Sequence, residues 1–345
     1  MKPVIAITLG DPAGIGPEII AKTLSDPETY RICNPLVVGD SDAMKMGLEV
    51  AGENLELHII EKPAEAEYSH GIIDLIDLKN IDPGKLEMGK PAAMTGAASA
   101  EYVIHAADLA LNNEVDAMVT APLNKEALHM GGYNYPGHTE LLAERSGTKH
   151  YAMMLATGNL RVVHATTHIP FKDIPEHLTK KRIHTTIHIA QRACLSLGID
   201  KPRIAVAGLN PHSGDGGLFG DEEAEIITPA ILEAVNEGLD VEGPVPADTV
   251  FGKAAGGQYD IVVALYHDQG HIPVKLLGME YDEATGKWLN VSGVNVTLGL
   301  RFIRTSVDHG TAYGKAGRKE GTANPGSLKE AVSYAVQMAH ARKNQ

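Results

Sequence analysis

The sequence predicts an α/β protein with a mostly parallel sheet. Short apolar runs alternate with amphipathic stretches along the chain, which is typical of repeated βαβ units. One run, residues 261–265, is entirely apolar, as strands buried on both faces are, and the polar stretch 266–275 (Tyr-His-Asp-Gln-Gly-His-Ile-Pro-Val-Lys) follows it directly. Because α/β sheets bind ligands at the carboxyl ends of their strands, we expect an active site there.

The same patterns predict each element in turn. We predict strands at residues 4–9, 35–39, 55–60, 72–77, 116–121, 152–156, 161–166, 203–209, 260–266 and 294–298. We predict helices at residues 17–24, 41–51, 95–113, 138–146, 182–197, 222–237 and 327–342. The Gly158-Asn159 turn indicates an antiparallel hairpin over 152–166. Residues 279–293, which carry the single tryptophan, are expected to form an exposed loop or hairpin, and residues 313–326 a mobile loop.

Composition limits the class of protein. With 345 residues the chain is long enough for two domains or one large one, and its 43% hydrophobic and 21% charged content is ordinary for a soluble protein. The net charge of −14 argues against nucleic acid or an anionic membrane as a partner. Two cysteines, Cys33 and Cys194, are expected to be buried and reduced, and the chain starts directly in a predicted strand. A cytoplasmic location is therefore expected.

The stretch Gly10-Asp-Pro-Ala-Gly-Ile-Gly-Pro-Glu18 joins the first predicted strand to the first helix. Its glycines allow close backbone approach, and the N-terminus of the helix can face an anion. It does not match GxGxxG, so an ordinary Rossmann fingerprint is absent. The spacing alone is equally compatible with a ligand-binding loop and with a plain turn.

Four histidines lie at predicted strand ends or at the start of a helix: His138, His168, His212 and His267. A neutral imidazole at such a position is a good ligand for Zn²⁺, Mn²⁺ or Co²⁺. A single histidine of this kind is usually structural or exposed, but several together favour a shared metal site.

Three further histidines are not predicted to bind metal at that site. His184 and His188 have the i, i+4 spacing of a helical metal pair but lack the glutamate of a zincin motif, so we expect them to be solvated or packed. His271 follows His267 by four residues, and we predict that both lie in a turn, where His271 lines the pocket.

Charged residues near these histidines are candidates for supporting roles. Asp248, in a predicted Pro-limited turn, and Asp268 could each orient a metal-bound histidine, although an aspartate in a turn is equally consistent with a local cap. Arg301 and Arg304 flank a predicted strand end, where a guanidinium fork can bind phosphate or carboxylate, and Lys275 could join them. The alternative for each arginine is an ordinary solvated charge.

Eight stretches together resemble the 4-hydroxythreonine-4-phosphate dehydrogenase (PdxA) family over essentially the whole chain. They are GDPAGIGPE at 10–18, TAPLNKEA at 120–127, YPGHTELLA at 135–143, ATTHIP at 165–170, GLNPHSGDGG at 208–217, PADTVF at 246–251, YHDQGHIPVK at 266–275 and FIRTSVDHGTA at 302–312. So many long matches in the same order are highly specific.

The resemblance implies a fold and an assembly. The fold is that of the isocitrate and isopropylmalate dehydrogenases, with two α/β/α domains, a cleft between them, and NAD bound without GxGxxG. The implied domains are a discontinuous NAD-binding domain (1–125 plus 272–345) and a domain for metal, substrate and dimerisation (126–271). The resemblance also implies a homodimer whose active sites lie at the subunit interface, with ligands from both chains.

The resemblance also implies residue roles. One divalent metal ion per subunit (Zn, Mn, Co or Mg) would be bound by His168, His212 and His267. The phosphorylated substrate would contact His138, Thr139, Lys275, Asn295 and Arg304. The predicted NAD contacts are Gly10, Asp11, Gly14, His309, Gly310, Thr311 and Asn324. The predicted catalytic groups are Lys275, which could return a proton, with Asp248 and Asp268 beside the metal ligands.

The implied activity is an NAD- and metal-dependent oxidation, followed by decarboxylation, of a four-carbon 4-phosphorylated 3-hydroxy acid. The His271-Ile-Pro sequence is similar to the branch that acts on D-threonate or D-erythronate 4-phosphate and gives dihydroxyacetone phosphate. The alternative is 4-phosphohydroxy-L-threonine, in pyridoxal phosphate biosynthesis. A metal-dependent phosphoester hydrolase and a non-catalytic sugar-phosphate binder are the rivals from other classes. The chain departs from the family in its 279–293 insertion and in Arg301, where a proline is usual.

Overall fold

The computed structural model describes residues 1–283, 287–318 and 320–343, and for residues 287–291 it describes the backbone alone. Its strands are β1 (Val4–Thr8), β2 (Asn34–Gly39), β3 (Glu56–Ile60), β4 (Ile72–Asp77), β5 (Ala117–Thr120), β6 (Ala152–Thr157), β7 (Leu160–His164), β8 (Ile204–Ala207), β9 (Val241–Val245), β10 (Ile261–Ala264), β11 (Met279–Asp282), β12 (Lys287–Val291), β13 (Val294–Leu298) and β14 (Ile303–Val307). Its α-helices are α1 (Gly16–Leu24), α2 (Pro27–Ile32), α3 (Ser41–Ala51), α4 (Ala93–Leu111), α5 (Lys125–Met130), α6 (His138–Ser146), α7 (Ile174–His177), α8 (Lys180–Ser196), α9 (Thr228–Asn236), α10 (Ala247–Ala255), α11 (His267–Gly278) and α12 (Gly326–Lys343).

The chain forms two compact units. The first unit contains Met1–Lys149 together with Leu300–Lys343, and the second contains His150–Gly299. The expected boundaries, 125/126 and 271/272, therefore differ from the observed ones. Helices α5 and α6 pack against α4 of the first unit, while α11 and β13 pack against β6 of the second, and these contacts set the division.

The first unit has a parallel sheet with the strand order β3-β4-β2-β1-β5-β14. Its central strands are apolar and completely buried, as in Ile5, Ala6 and Ile7 of β1. Helix α12 packs on β14 and β5. The parallel pairing of β14 with β5 brings Arg304 to the same sheet region as Thr120.

The second unit has a mixed sheet with the strand order β13-β6-β7-β10-β8-β9. Strand β6 runs antiparallel to both β13 and β7, so the hairpin predicted at Gly158-Asn159 is confirmed. The pairs β7–β10, β10–β8 and β8–β9 are parallel. A separate antiparallel hairpin, β11–β12, lies in the 279–293 segment that was expected to form an exposed loop or hairpin, and residues 284–286 of that segment lie outside the described residues.

Two local predictions about the site are wrong. His267 and His271 lie in α11 and not in a turn, and Asp248 lies in the first turn of α10. Strands β9 and β14 and helices α2, α5, α7, α10 and α11 were not predicted. Both cysteines are free and buried, as expected. Across the described parts of the chain, no helix is both long and apolar enough to span a membrane.

Candidate active site

Four histidines gather in the second unit around the carboxyl ends of β7 and β10. His164 ends β7, His168 follows it, and His267 and His271 occupy the beginning of α11. The rings of His267 and His271 stack with centroids 3.5 Å apart, since residues four apart share a helix face. His168 lies 5.5 Å from His267, and His164 lies 4.7 Å from His271, again between ring centroids.

The first turn of α11 is held to the sheet by Gln269. Its Oε1 accepts a hydrogen bond from the Leu265 N–H at 2.7 Å, and its Nε2 donates to the Gly208 carbonyl at 2.7 Å. These groups lie just beyond the carboxyl ends of β10 and β8. Gln269 is buried, so the amide fixes the direction in which the His267 side chain leaves the helix. Sequence reasoning missed this residue, although it lies within a motif that was singled out.

His267 is oriented by the carboxylate next to it. Its Nδ1 lies 2.7 Å from Asp268 Oδ1. An ionised carboxylate can only accept, so this contact places the imidazole proton on Nδ1 and leaves the Nε2 lone pair for a metal ion. Both side chains are partly exposed, which keeps the site accessible. The predicted roles of His267 as a ligand and Asp268 as its supporting carboxylate fit this arrangement.

His164, which sequence reasoning did not single out, is the buried member of the cluster. Burial lowers its pKa to about 3, and the neighbouring His271 acts in the same direction. Its Nδ1 lies 3.4 Å from the Met153 carbonyl, while its Nε2 is buried with no hydrogen-bond partner among the described residues. His164 is therefore neutral at physiological pH, and its buried ring packs against that of His271.

The close approach of α11 to His164 requires glycine at position 270. A Cβ added there would lie 2.6 Å from Val162 Cγ1, and closer still to His164 Nε2. Overpacking of this kind costs about 1–3 kcal/mol, which exceeds the roughly 1 kcal/mol that alanine gains over glycine in a helix. We expect Gly270→Ala to lower the free energy of unfolding measured in urea. The control is Gly252→Ala on α10, where an added Cβ meets no atom within 4 Å and stability should rise slightly; equal stability of the two variants would contradict the prediction.

His212 lies on a loop with an unusual backbone. His212, Ser213 and Asp215 all have positive φ values (53°, 56° and 44°) within the 3₁₀ segment Pro211–Gly217. Such residues cost about 1–3 kcal/mol each and persist where surrounding contacts impose them. The buried carboxylate of Glu223 anchors the chain just before this segment: its Oε1 accepts the N–H groups of Leu209 and Asn210 at 2.8 and 2.7 Å. Glu223 lies within a predicted helix, and no local pattern reveals this role.

The three predicted metal ligands are not all adjacent in one chain. His168 and His267 are neighbours, but the donor atoms of His168, His212 and His267 do not all fall within 4.8 Å of one another. Among the described residues, the one group that meets this criterion is His184, His188 and Glu237. Because the family resemblance implies ligands from two subunits, a single chain does not test the predicted set.

The other predicted residues of the second unit lie on neighbouring elements. Lys275 is on α11, in the half of the helix that follows His267 and His271. Asn295 is on β13, and its Nδ2 lies 3.2 Å from Met153 Sδ. Asp248 is exposed at the start of α10, which packs against the segment that carries His212.

The first unit holds a buried cation suited to an anionic group. Arg304 is 2% exposed, and one of its guanidinium nitrogens donates to Thr120 Oγ1 at 2.6 Å. Burial lowers the pKa of Arg304 to about 9, an effect that Glu140 partly offsets, so the side chain remains charged at neutral pH. Arg301, by contrast, is exposed and matches the solvated alternative.

His138 accompanies Arg304 in the first unit. It is the first residue of α6, with Thr139 after it, as expected from the sequence. Burial, and then the positive charge of Arg304, lower the pKa of His138 well below 6.5. Its Nε2 is shielded from solvent and has no hydrogen-bond partner within the described chain. A neutral donor and a cation are thus close to the N-terminus of one helix, a combination that suits phosphate.

The glycine-rich loop at 10–18 is packed against the stretch that follows β14. The Ile15 N–H donates to the Thr311 carbonyl at 3.1 Å, and the Tyr313 hydroxyl donates to Asp11 Oδ2 at 2.6 Å. A Cβ on Gly14 would lie 3.0 Å from Thr311 Cβ. Burial raises the pKa of Asp11, and the Tyr313 hydroxyl acts against this shift. These contacts give Gly14 and Asp11 structural roles. They agree with the plain-turn interpretation of the loop and do not exclude ligand binding.

The remaining predicted cofactor residues lie in or beside the same region. Gly10 has a φ of 72°, and an added Cβ would lie 2.5 Å from the Pro122 carbonyl oxygen, so its role is also one of close packing. Thr311 is buried, His309 is half-buried and Gly310 is exposed. Asn324 Oδ1 accepts the Gly326 N–H at 2.7 Å at the start of α12. The structure therefore gathers all seven residues in the first unit without testing their contact with NAD.

The family model described as pyridoxal phosphate biosynthetic protein PdxA matches residues 31–335. The chain belongs to the PdxA family. It is 50% identical over 337 residues to D-threonate 4-phosphate dehydrogenase of Salmonella typhimurium, covering 97% of this chain and 98% of that protein. It is 47% identical over 341 residues to 4-hydroxythreonine-4-phosphate dehydrogenase of Geobacter metallireducens, covering 99% and 97%.

Solved structures of PdxA relatives agree with this assignment. The crystal structure of 4-hydroxythreonine-4-phosphate dehydrogenase from Klebsiella pneumoniae matches with a TM-score of 0.85 and 45% identity, covering 98% of this chain and 100% of that chain. These relatives are named as dehydrogenases, which supports the enzyme class predicted from the sequence, an oxidoreductase acting on a CH–OH group. The mixed α/β fold is confirmed as well.

Proposed function

We propose that this PdxA-family protein oxidises and then decarboxylates a four-carbon 4-phosphorylated 3-hydroxy acid, with NAD and a divalent metal ion. The favoured substrate is D-threonate or D-erythronate 4-phosphate, with dihydroxyacetone phosphate as the product. The relative at 50% identity carries the name D-threonate 4-phosphate dehydrogenase, in agreement with the His271-Ile-Pro signature in the sequence. The observation that carries the reaction type is the Asp268–His267 pair at the carboxyl end of β10.

The donor set fits a divalent cation. The proton position on His267 leaves Nε2 as a ligand atom, and His168 lies beside it. His212, on the loop Pro211–Gly217 with its unusual backbone, is proposed as the third ligand, which the partner subunit would supply. When bound, the cation would polarise the substrate hydroxyl and stabilise negative charge that develops during decarboxylation. Zn²⁺, Mn²⁺, Co²⁺ and Mg²⁺ are the proposed choices.

The protein groups have separable tasks. Arg304, His138 and Thr139 would bind the phosphate, since a buried guanidinium and a neutral imidazole both donate to it. Lys275 would neutralise the substrate carboxylate or return a proton to the product, and Asn295 would orient the substrate. His309, Gly310, Thr311 and Asn324, supported by the 10–14 loop, would hold NAD, which would supply the hydride acceptor.

A homodimer with shared active sites is part of the proposal, as is the isocitrate dehydrogenase-like arrangement with its cleft. Helix α11 and strand β11 expose five large apolar side chains next to the histidine cluster: Ile272 (64%), Leu276 (77%), Leu277 (57%), Met279 (39%) and Tyr281 (51%). Several exposed large apolar side chains on neighbouring stretches of the chain support a protein–protein contact. A cytoplasmic location, without nucleic acid or membrane partners, completes the proposal.

A screen of phosphorylated C4 acids tests this function. We expect NADH to form with D-threonate or D-erythronate 4-phosphate when Mg²⁺, Mn²⁺, Zn²⁺ or Co²⁺ is present, and not after chelation of the metal. Preference for 4-phosphohydroxy-L-threonine would instead assign the alternative function; the relative at 47% identity carries the name 4-hydroxythreonine-4-phosphate dehydrogenase. Release of inorganic phosphate without NADH would favour a phosphoester hydrolase, and binding without turnover a sugar-phosphate binder.

A further inference from the structure

A second histidine cluster lies on α8, away from every residue assigned above. His184 and His188 are one turn apart on this helix, and their Nε2 atoms are 3.3 Å from each other. The sequence predicts only a solvated or packing role for this pair. The structure adds a carboxylate that is distant in sequence: Glu237, at the C-terminal end of α9, lies beside both rings.

The three side chains converge on one point. Glu237 Oε2 lies 3.1 Å from His184 Nε2 and 2.6 Å from His188 Nε2. In a tetrahedral zinc site with bonds of about 2.0–2.1 Å, neighbouring ligand atoms are about 3.3 Å apart. The separation of the two imidazole nitrogens matches this edge length, and the carboxylate oxygen needs to move about 0.7 Å away from His188 Nε2 to complete a face. Two imidazoles and one carboxylate are also the ligand types that zinc accepts.

The surroundings favour a ligand-binding role over a plain ion pair. Side-chain exposures of 20%, 32% and 41% for His184, His188 and Glu237 leave room for water on the open side of the cluster. The adjacent turn holds its own charge pair, Lys180 with Glu233 at 2.8 Å, and this contact lowers the pKa of Glu233. Lys180 is thus paired with a different carboxylate, and Glu237 faces only the imidazoles among its described contacts.

We propose that His184, His188 and Glu237 form a second metal site, which takes Zn²⁺ or a similar divalent transition ion. The site connects α8 to the end of α9, two helices that already pack together, and so acts as a structural clamp within the second unit. Its ligands do not overlap with the proposed His168, His212 and His267 set.

Zinc stoichiometry of the full-length protein tests the proposal. After equilibration with ZnCl₂ at pH 7.5 and removal of loosely bound ion, we expect His184→Gln/His188→Gln to contain about one zinc fewer per chain than the wild type. The matched control is His70→Gln/His129→Gln, which removes two exposed histidines whose ring nitrogens hydrogen-bond to backbone carbonyls. This control should retain the wild-type zinc content.

The outcomes separate this site from the proposed active site. If the active-site metal is absent, wild type falls to about one zinc and the α8 variant to none, but the difference of one is unchanged. Equal zinc content in wild type and the α8 variant, or an equal loss in the control, would overturn the proposal.

Discussion

His267→Ala is expected to reduce turnover by about a thousandfold or more and to remove one metal ion per active site. The loss of a metal ligand removes several kcal/mol of transition-state stabilisation, and each 1.4 kcal/mol corresponds to about tenfold in rate. Among the proposed ligands, His267 is also the one whose Nδ1 lies 2.7 Å from the carboxylate of Asp268. NADH formation and metal content should be measured on the same preparation.

Two further variants complete this experiment. Asp268→Asn should reduce activity by about 10–100-fold, because it disturbs the orientation and basicity of the ligand without removing it. His177→Ala, at an exposed histidine that ends α7, should leave turnover unchanged. Near-normal activity of His267→Ala would eliminate the metal assignment for this residue.

Arg304→Ala is expected to raise the KM for the phosphorylated substrate by about 100-fold, with a much smaller effect on the KM for NAD. Hydrogen bonds to a charged group contribute about 1.5–3 kcal/mol each, and a guanidinium can form two with one phosphate. Because Arg304 is buried, a cation from solvent cannot take its place in the variant. Steady-state kinetics with each substrate varied in turn provide the measurement.

The control for Arg304 lies three residues earlier. Arg301→Ala removes an exposed guanidinium and should change either KM by less than about twofold. Arg304→Met, which keeps most of the side-chain volume, distinguishes lost charge from a cavity and should show the same loss of substrate affinity. Equal changes in the KM for substrate and for NAD would place Arg304 outside the phosphate site.

The sequence predicted those elements whose pattern is local. The apolar strands β1, β5, β7 and β10 and the amphipathic helices α3, α6, α8 and α12 were found close to their observed bounds, because burial dictates their composition. Strand β14 was missed since three of its five residues, Arg304, Thr305 and Ser306, are polar yet buried. Helix α11 was missed because Gly270 and Pro273 within it read as helix breakers.

The parts of the site that escaped prediction depend on contacts distant in sequence. The role of Gln269 in holding α11 to the sheet could not be predicted, because its second hydrogen-bond partner, Gly208, is 61 residues earlier. Glu237 contacts His188, which lies 49 residues earlier in the sequence. Glu223 hydrogen-bonds to Asn210, which lies 13 residues earlier. By contrast, Asp268 orients the residue directly before it, and the sequence alone was sufficient to propose that pair.

The discontinuity of the first unit has a consequence for biosynthesis. Strand β14 completes the sheet of this unit, and helix α12 packs on it. Both are translated only after residues 150–299. At typical rates of about 5–20 residues per second, the nascent chain waits on the order of ten seconds with β5 as an open edge. An open edge of this kind invites wrong pairing, so we expect chaperone dependence and the yield of native enzyme to be more sensitive to translation speed here than in a protein whose domains are each continuous.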